Sequence, residues 1–277
     1  MMRRAKRALA GAFPNAAQVY RELRVRRRCH PRHLVPTPHG FQLAGNEIMA
    51  APGFERAEVE FVLRALGRAR VFVDVGANIG FYACLARQHG ARVVAVEPSR
   101  ENLECLLFNL HANAWGDVEV LPVGLADRIG TLALHGAGTG ASLLPGWAGE
   151  AGGAGRLIPV STLDTVLGER FAGERLLVKI DVEGAELGVV RGAARLLARR
   201  PSPLWLVEIC LTEHHPRGLN PEFEAVFQTF WREGYQARAL LDDGSERPVT
   251  SADVTRWAAD GRREFGSISY AFERADA

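Results

Sequence analysis

The stretch Val71-Phe-Val-Asp-Val-Gly-Ala-Asn-Ile-Gly80 decides the fold that this chain adopts. It begins with residues that are apolar and mostly β-branched except for Asp74, which is typical of a strand buried on both faces of a parallel sheet. Gly76, Asn78 and Gly80 follow directly, and a helix-like segment comes next. A strand, a glycine-containing turn and a helix in this order indicate a site for a nucleotide-like ligand at the end of the strand.

The following segment, Arg92-Val-Val-Ala-Val-Glu97, predicts a second buried strand that ends in an acid. Glu97 lies 21 positions after Gly76 (97 minus 76), close to the ~20 expected for a carboxylate that binds ribose hydroxyls. The turn lacks the G-x-G-x-x-G pattern of dinucleotide sites, and Asp74 would repel a pyrophosphate. We therefore expect a ligand that carries a cation and no phosphate.

Three motifs resemble those of the FkbM family of S-adenosylmethionine (SAM)-dependent methyltransferases. They are Asp74-Val-Gly-Ala-Asn-Ile-Gly80, Val96-Glu-Pro-Ser99 and Val178-Lys-Ile-Asp-Val-Glu-Gly-Ala-Glu186, and the resemblance covers about residues 71–236. It implies the class I methyltransferase fold, an α/β, Rossmann-like architecture with a doubly wound, mostly parallel sheet. It also implies transfer of a methyl group from SAM to a hydroxyl of a sugar, glycolipid or secondary metabolite.

The parts of SAM need different partners, and the resemblance indicates which residues supply them. Glu97 suits the ribose hydroxyls, Asp74 the ammonium group, and the glycine turn leaves room for the carboxypropyl part. Gly124 and Leu125 follow the third predicted strand, which borders the adenine in this fold. The cofactor-binding residues that we predict are Asp74, Gly76, Asn78, Gly80, Glu97, Gly124 and Leu125.

A hydroxyl acceptor is a weak nucleophile, because its pKa lies near that of water, about 15–16, so it needs a base or a metal. The candidates at the next two strand ends and in the loop behind them are Lys179, Asp181, Glu183, Glu208, His214 and His215. We predict Asp181, Glu208 and His214 as catalytic residues, with Asp181 and Glu208 as candidate Mg²⁺ ligands. For Lys179, a structural ion pair with an acid is the alternative.

Strands that alternate with helices predict a doubly wound sheet, in a domain that we place at residues 46–277 behind a basic N-terminal extension, residues 1–45. Two extra strands, near residues 131–135 and 156–160, predict a β-hairpin insertion. Between them lies a stretch with eight glycines, residues 136–155, which we expect to be a mobile loop that packs no core. It is either a lid over the acceptor site or a solvent loop.

Residues 1–33 hold ten Arg or Lys and one acid, in a chain of net charge +2. They predict either a solvated arm or a patch that docks onto an anionic membrane surface or an acidic carrier. Nucleic acid is disfavoured because the arm offers few aromatic side chains for stacking. No apolar stretch reaches the ~18–20 residues of a membrane span, so we expect none.

The four cysteines form no C-x-x-C pair and predict reduced, mostly buried thiols in a cytoplasmic protein. Three other functions stay open at this point. They are a nucleotide-binding oxidoreductase, a nucleic-acid-directed methyltransferase that uses the basic arm, and a SAM-binding protein without catalysis.

Overall fold

The computed structural model describes residues 27–149 and 155–275. The strands are β1 Val35–Pro36, β2 Gln42–Leu43, β3 Val71–Val75, β4 Arg92–Val96, β5 Glu119–Leu121, β6 Gly124–Leu125, β7 Gly130–Leu134, β8 Arg156–Ser161, β9 Leu176–Ile180, β10 Leu204–Glu208, β11 Gln236–Leu240, β12 Glu246–Val249 and β13 Ser269–Glu273. The α-helices are α1 Glu47–Ala50, α2 Arg56–Leu66, α3 Phe81–Gln88, α4 Arg100–Ala112, α5 Leu163–Leu167, α6 Glu186–Arg191, α7 Ala194–Ala198, α8 Phe223–Arg232 and α9 Ser251–Asp260.

The main sheet has eight strands in the order β5-β4-β3-β9-β10-β13-β11-β12. The five strands from β5 to β10 are parallel, β13 is inserted antiparallel between β10 and β11, and β12 is an antiparallel edge. The chain winds outwards from β3 in one direction and from β9 in the other. This confirms the predicted doubly wound, mostly parallel sheet, whose ligand crevice lies where the winding direction changes.

Hydrophobic residues cover both faces of this sheet. Within β3, Val71, Val73 and Val75 belong to one buried cluster, and Phe72 belongs to the other. This alternation follows from the period of two in a strand. All five residues of β3 are buried, which explains why its sequence is almost continuously apolar and why Asp74 is enclosed with them.

The insertion forms a second, smaller sheet in the order β6-β8-β7. Strands β7 and β8 are antiparallel, as predicted, and the short strand β6 adds to β8 in parallel. Residues 136–149 of the glycine-rich stretch contradict the expectation that it packs no core. The reason is Trp147, whose side chain is only 1% exposed and gives the segment a large apolar group to bury.

The described part of the N-terminal extension packs against α4. The backbone N–H groups of Gln42 and Ala44 donate to the Oδ1 atoms of Asn113 and Asn109, at 2.9 and 2.8 Å. The boundary at residue 46 stays a prediction, and most of the basic arm, residues 1–26, lies outside the described residues. In the two described segments, no helix combines the length and the apolar character that crossing a bilayer requires.

A disulfide joins Cys29 to Cys105 of α4, with the two Cα atoms 5.3 Å apart. The expectation of reduced thiols is therefore wrong for this pair. The sequence did not indicate the bond, because its two residues are 76 positions apart and only the fold brings them together. Cys84 and Cys210 are free and buried, as expected.

Candidate active site

A cleft opens at the carboxyl ends of β3, β4 and β9. The space between its walls, which is open to solvent, amounts to about 560 Å³. The predicted residues on its wall are Gly76, Asn78, Glu97, Gly124, Leu125 and Asp181. Gly138, Thr139 and Ala141 of the glycine-rich segment also line this cleft, so the segment borders the predicted cofactor site.

Glu97 is held in place by backbone groups on both sides. Its Oε2 accepts from the N–H of Asn78 and its Oε1 from the N–H of Ser99, both at 2.8 Å. Burial raises the pKa of Glu97 to about 7, although these hydrogen bonds act in the opposite direction. Oε2 has a second lone pair, so a ribose hydroxyl can still donate to it.

Asn102 is a cleft residue that the sequence analysis missed. Its Nδ2 donates to the carbonyl oxygen of Gly138 at 3.1 Å and to Glu97 at 3.4 Å. Its Oδ1 is buried without a hydrogen-bond partner, as is the Oδ1 of Asn78. Buried acceptors without partners are rare, so these two atoms fit a ligand that brings hydroxyl or amine donors, as SAM does. Only the position of Asn102, five residues after Glu97, could have signalled this role.

Gly76 serves the packing of the strand ends. A Cβ on this residue would lie 1.8 Å from the carbonyl oxygen of Asp181, and its φ of +85° is unfavourable for other residues. At Gly80, a Cβ would lie 2.4 Å from Cδ1 of Leu106. The close approach that we attributed to a ligand is therefore made, at both glycines, by the protein itself.

Asp74 lies inside β3 and is 1% exposed. It is opposite Lys179 in the pairing of β3 with β9, and the backbone N–H of Ala83 donates to it. Its Oδ2 has no hydrogen-bond partner. Burial raises the pKa of Asp74 to about 7, and the charge of Lys179 counteracts part of that effect. Asp74 is thus buried within the strand next to Lys179 of the neighbouring strand, and it is not among the residues that line the cleft.

Lys179 is the cation of this region and is 4% exposed. Its Nζ donates to Oδ2 of Asp181 at 2.8 Å and lies 4.5 Å from the centre of the Tyr82 ring. Burial on its own lowers the pKa of Lys179, but the surrounding carboxylates, Asp181 first among them, raise it above its ordinary value. The predicted ion pair of Lys179 with an acid is present.

Glu183 contacts the glycine-rich segment. Its Oε2 accepts from Nε1 of Trp147 at 2.5 Å, and its carbonyl oxygen accepts from Oγ of Ser142 at 2.6 Å. Burial, together with the charge of Asp181, raises the pKa of Glu183 to about 8. The same two causes, in the same order, raise the pKa of Glu208 well above its ordinary value. Two acids beside Asp181 therefore bind protons readily near neutral pH.

His214 and His215 lie against the other side of Trp147. Their rings are 6.2 and 6.1 Å from the Trp147 ring, between centroids. The carbonyl oxygen of His214 accepts from the N–H of Ala148 at 2.8 Å, while its side chain is exposed. His215 is the buried member of the pair. The structure thus connects the loop after β10 to the glycine-rich segment, and the His214 side chain lies at the outer edge.

The model of the methyltransferase FkbM domain matches residues 74–237. This chain belongs to the FkbM methyltransferase family. It is therefore a SAM-dependent methyltransferase, and the oxidoreductase alternative is wrong. The match includes all three motifs and the predicted site residues, from Asp74 to His214.

Solved structures of methyltransferases resemble this FkbM protein at low sequence identity. An O-methyltransferase from Bacillus cereus in complex with SAH is 15% identical, with a TM-score of 0.46 and 80% of each chain covered. The SAM-dependent methyltransferase from Agrobacterium tumefaciens is 9% identical, with a TM-score of 0.46, over 88% of this chain and 70% of that one. No curated protein matches the chain.

The site of this FkbM protein does not fit the Mg²⁺ ion that we considered at Asp181 and Glu208. The ammonium group of Lys179 contacts Asp181 directly, where a divalent cation would meet like charge. Within residues 27–149 and 155–275, no group of three or more His, Cys, Asp or Glu side chains could hold a metal ion. Lys179 therefore supplies the positive charge next to Asp181.

Proposed function

We propose that this FkbM protein transfers the methyl group of SAM to a hydroxyl of a sugar, glycolipid or secondary metabolite. The observation that supports it best is the place of Asp181 and Glu183, which share one cleft with the predicted cofactor residues. When bound there, SAM supplies an electrophilic methyl group on a sulfonium. The protein's tasks are then to hold the acceptor about 3–3.5 Å from that methyl group and to take up its proton.

The cofactor side of the cleft would hold SAM through acceptors. Glu97 would accept from the ribose hydroxyls, and the unpaired oxygens of Asn78 and Asn102 would accept further donors. Asp74, buried in β3, would attract a positively charged ligand through its carboxylate without lining the cleft. The backbone of Gly124 and Leu125 would border the adenine.

On the acceptor side, the carboxylates would receive the hydroxyl proton. Asp181 is our first candidate for the base, because its side chain is 24% exposed at the cleft and its Oδ2 is oriented by Lys179. Glu183 and Glu208 would take the proton from Asp181 in their ionised forms, since raised pKa values make these carboxylates the stronger bases. His214, at the outer edge, stays a secondary candidate.

The experiment is a screen of glycans and polyketide alcohols with SAM labelled in its methyl group. We expect transfer to at least one hydroxyl acceptor, and binding of S-adenosylhomocysteine (SAH) in calorimetry. Asp181→Asn should abolish turnover and largely preserve SAH binding, because this residue faces the acceptor. Transfer to nitrogen or to nucleic acid only, or full activity of Asp181→Asn, would contradict the proposal.

Metal dependence is tested in the same assay. Because Lys179 takes the place of a cation at Asp181, we expect full turnover after dialysis against EDTA. Activity that is lost with EDTA and regained with Mg²⁺ would instead favour the Asp181–Glu208 metal site.

A cytoplasmic location is part of this proposal and makes a separate prediction. Cytoplasmic reductants oppose disulfides, so in that compartment the bond seen in the structure would be open and Cys29 and Cys105 would be recovered as thiols. Recovery of the disulfide under rapid thiol blocking would contradict the cytoplasmic location.

A further inference from the structure

Glu55 lies before α2 and outside the residues that match the FkbM domain, yet its carboxylate contacts Tyr82, whose ring faces Lys179. Its Oε2 accepts from the hydroxyl of Tyr82 at 2.6 Å. The backbone of Glu55 is left-handed, with a φ of 40°, which is costly for a residue with a Cβ. Asn78 and Glu183, on the cleft wall, share this unusual conformation.

Tyr82 connects Glu55 to the centre of the site. It is buried in the first turn of α3, with its hydroxyl on Glu55 and its ring 4.5 Å from Nζ of Lys179. An ammonium over the face of a tyrosine ring is attracted by the negative charge density of that face. The hydrogen bond to Glu55 restrains the ring, and the ring in turn forms one side of the Lys179 pocket.

Asp181 is where this chain of contacts meets the cleft. The Nζ of Lys179 donates to its Oδ2 at 2.8 Å, while the Asp181 side chain remains partly exposed to the cleft. A buried ammonium without a good partner is costly, so Lys179 is held firmly only where several groups surround it. A carboxylate hydrogen-bonded to a fixed cation has fewer orientations than a free one.

We propose that Glu55 is a positioning residue of the acceptor site, which acts through Tyr82 to hold the Lys179 ammonium against Asp181. The inference rests on the proposed function, in which Asp181 receives the acceptor proton. Glu55 itself touches neither cofactor nor acceptor in this role. It fixes the orientation of the group that does.

The composition of the chain allows a test that needs no acceptor. Lys6 and Lys179 are its two lysines, so a protein labelled with ¹³C at the lysine ε-carbon gives two ε-methylene signals. We expect the Tyr82 ring current to displace one of them upfield, and Lys6→Arg to leave that signal in place. Tyr82→Phe and Glu55→Ala each break the 2.6 Å hydrogen bond and should move it towards the position of a free lysine.

Two further variants test whether the effect is specific. Glu55→Gln keeps an acceptor for the Tyr82 hydroxyl and should restore most of the wild-type displacement. Glu60→Gln, in the helix that follows Glu55 and in an exposed pair with Arg56, should leave the signal unchanged. Unchanged signals in both Tyr82→Phe and Glu55→Ala would overturn the proposal, since the ring would then be held by packing alone.

Turnover supplies the second readout. With the acceptor found in the screen, Tyr82→Phe and Glu55→Ala should lower kcat by about 10- to 100-fold, because misplacement of a reacting group carries penalties of that size. Affinity for SAH should stay within about twofold of wild type. A displaced lysine signal with unchanged kcat would overturn the positioning role. A wild-type protein that methylates no hydroxyl would contradict the proposed function, while the lysine spectra would still report on the contacts.

Discussion

Asp74 and Glu97 are acids buried in an apolar sheet, and the pKa of each rises to about 7 for that reason. A carboxyl group whose pKa is higher in the folded than in the unfolded chain stabilises the fold at low pH. This contribution is lost as the pH rises from the unfolded value, 3.8 for Asp74, through about 7. The acids that we assign to the cofactor therefore destabilise the free protein at alkaline pH.

Asp74→Asn should accordingly stabilise the cofactor-free protein at alkaline pH. We expect the Tm to rise by at least about 3 °C near pH 8.5, where the wild-type protein carries a buried ionised carboxylate that the variant lacks. The rise should be clearly smaller near pH 5, where the wild-type carboxyl group is already mostly protonated. The same variant should bind SAH more weakly. Thermal unfolding at the two pH values and calorimetry measure this, and an equal change in Tm at both would contradict it.

Glu97 is predicted to contribute to cofactor binding. Glu97→Ala should weaken SAH binding by ~1.5–3 kcal/mol, the usual range for hydrogen bonds to a charged group. Glu104→Gln, in an exposed pair with Arg100 on α4, is the control and should leave affinity unaltered. Calorimetry measures the affinity of each protein for SAH, and equal affinities for the Glu97 variant and the wild type would show that Glu97 does not bind the cofactor.

At the scale of elements, the sequence predicts what depends on local periodicity. Strands β3, β4, β9 and β10 are recognisable because a strand buried on both faces leaves an apolar run. Strand β6, with two residues, leaves no such pattern. The contacts of Asn102 with Gly138 and of Tyr82 with Glu55 join residues 36 and 27 positions apart, so neither could be predicted from local sequence.

The turn after β3 offers a test of why its first glycine is needed. Gly76 and Gly90 have nearly equal positive φ values, +85° and +82°, but a Cβ would collide with Asp181 only at Gly76. We expect Gly90→Ala to cost about 1–2 kcal/mol for its conformation alone. Gly76→Ala should cost clearly more, or prevent folding, in urea unfolding. If both variants lose the same free energy of unfolding, the positive φ of Gly76, and not the lack of space for a Cβ, would be the reason for the glycine.

The contact between the glycine-rich segment and Glu183 depends on one indole N–H. Trp147→Phe keeps a ring in the same place but removes the donor, and that hydrogen bond lowers the pKa of Glu183. Its pKa should therefore rise further above about 8. With the acceptor from the screen, we expect a titration step of kcat against pH to move to higher pH. An unshifted profile would exclude Glu183 from the rate-determining protonation.

For the molecule as a whole, the basic arm is the region for which the sequence predicts an anionic partner. A chain without residues 1–26 should lose binding to vesicles that contain anionic lipid and keep its affinity for SAH, since the predicted cofactor residues lie at 74–125. Co-sedimentation at low and high salt measures the first effect. Binding to RNA but not to vesicles would favour the nucleic-acid alternative instead.

The bond between Cys29 and Cys105 closes residues 29–105 into a covalent ring. That ring contains β3, the turn after it and Glu97, the residue that we predict to bind the ribose. A protease that cuts once within it would leave both pieces attached, so on a non-reducing gel the nicked molecule would migrate as a single species. The segment at Cys29 is thereby covalently attached to α4, the helix that carries Asn102.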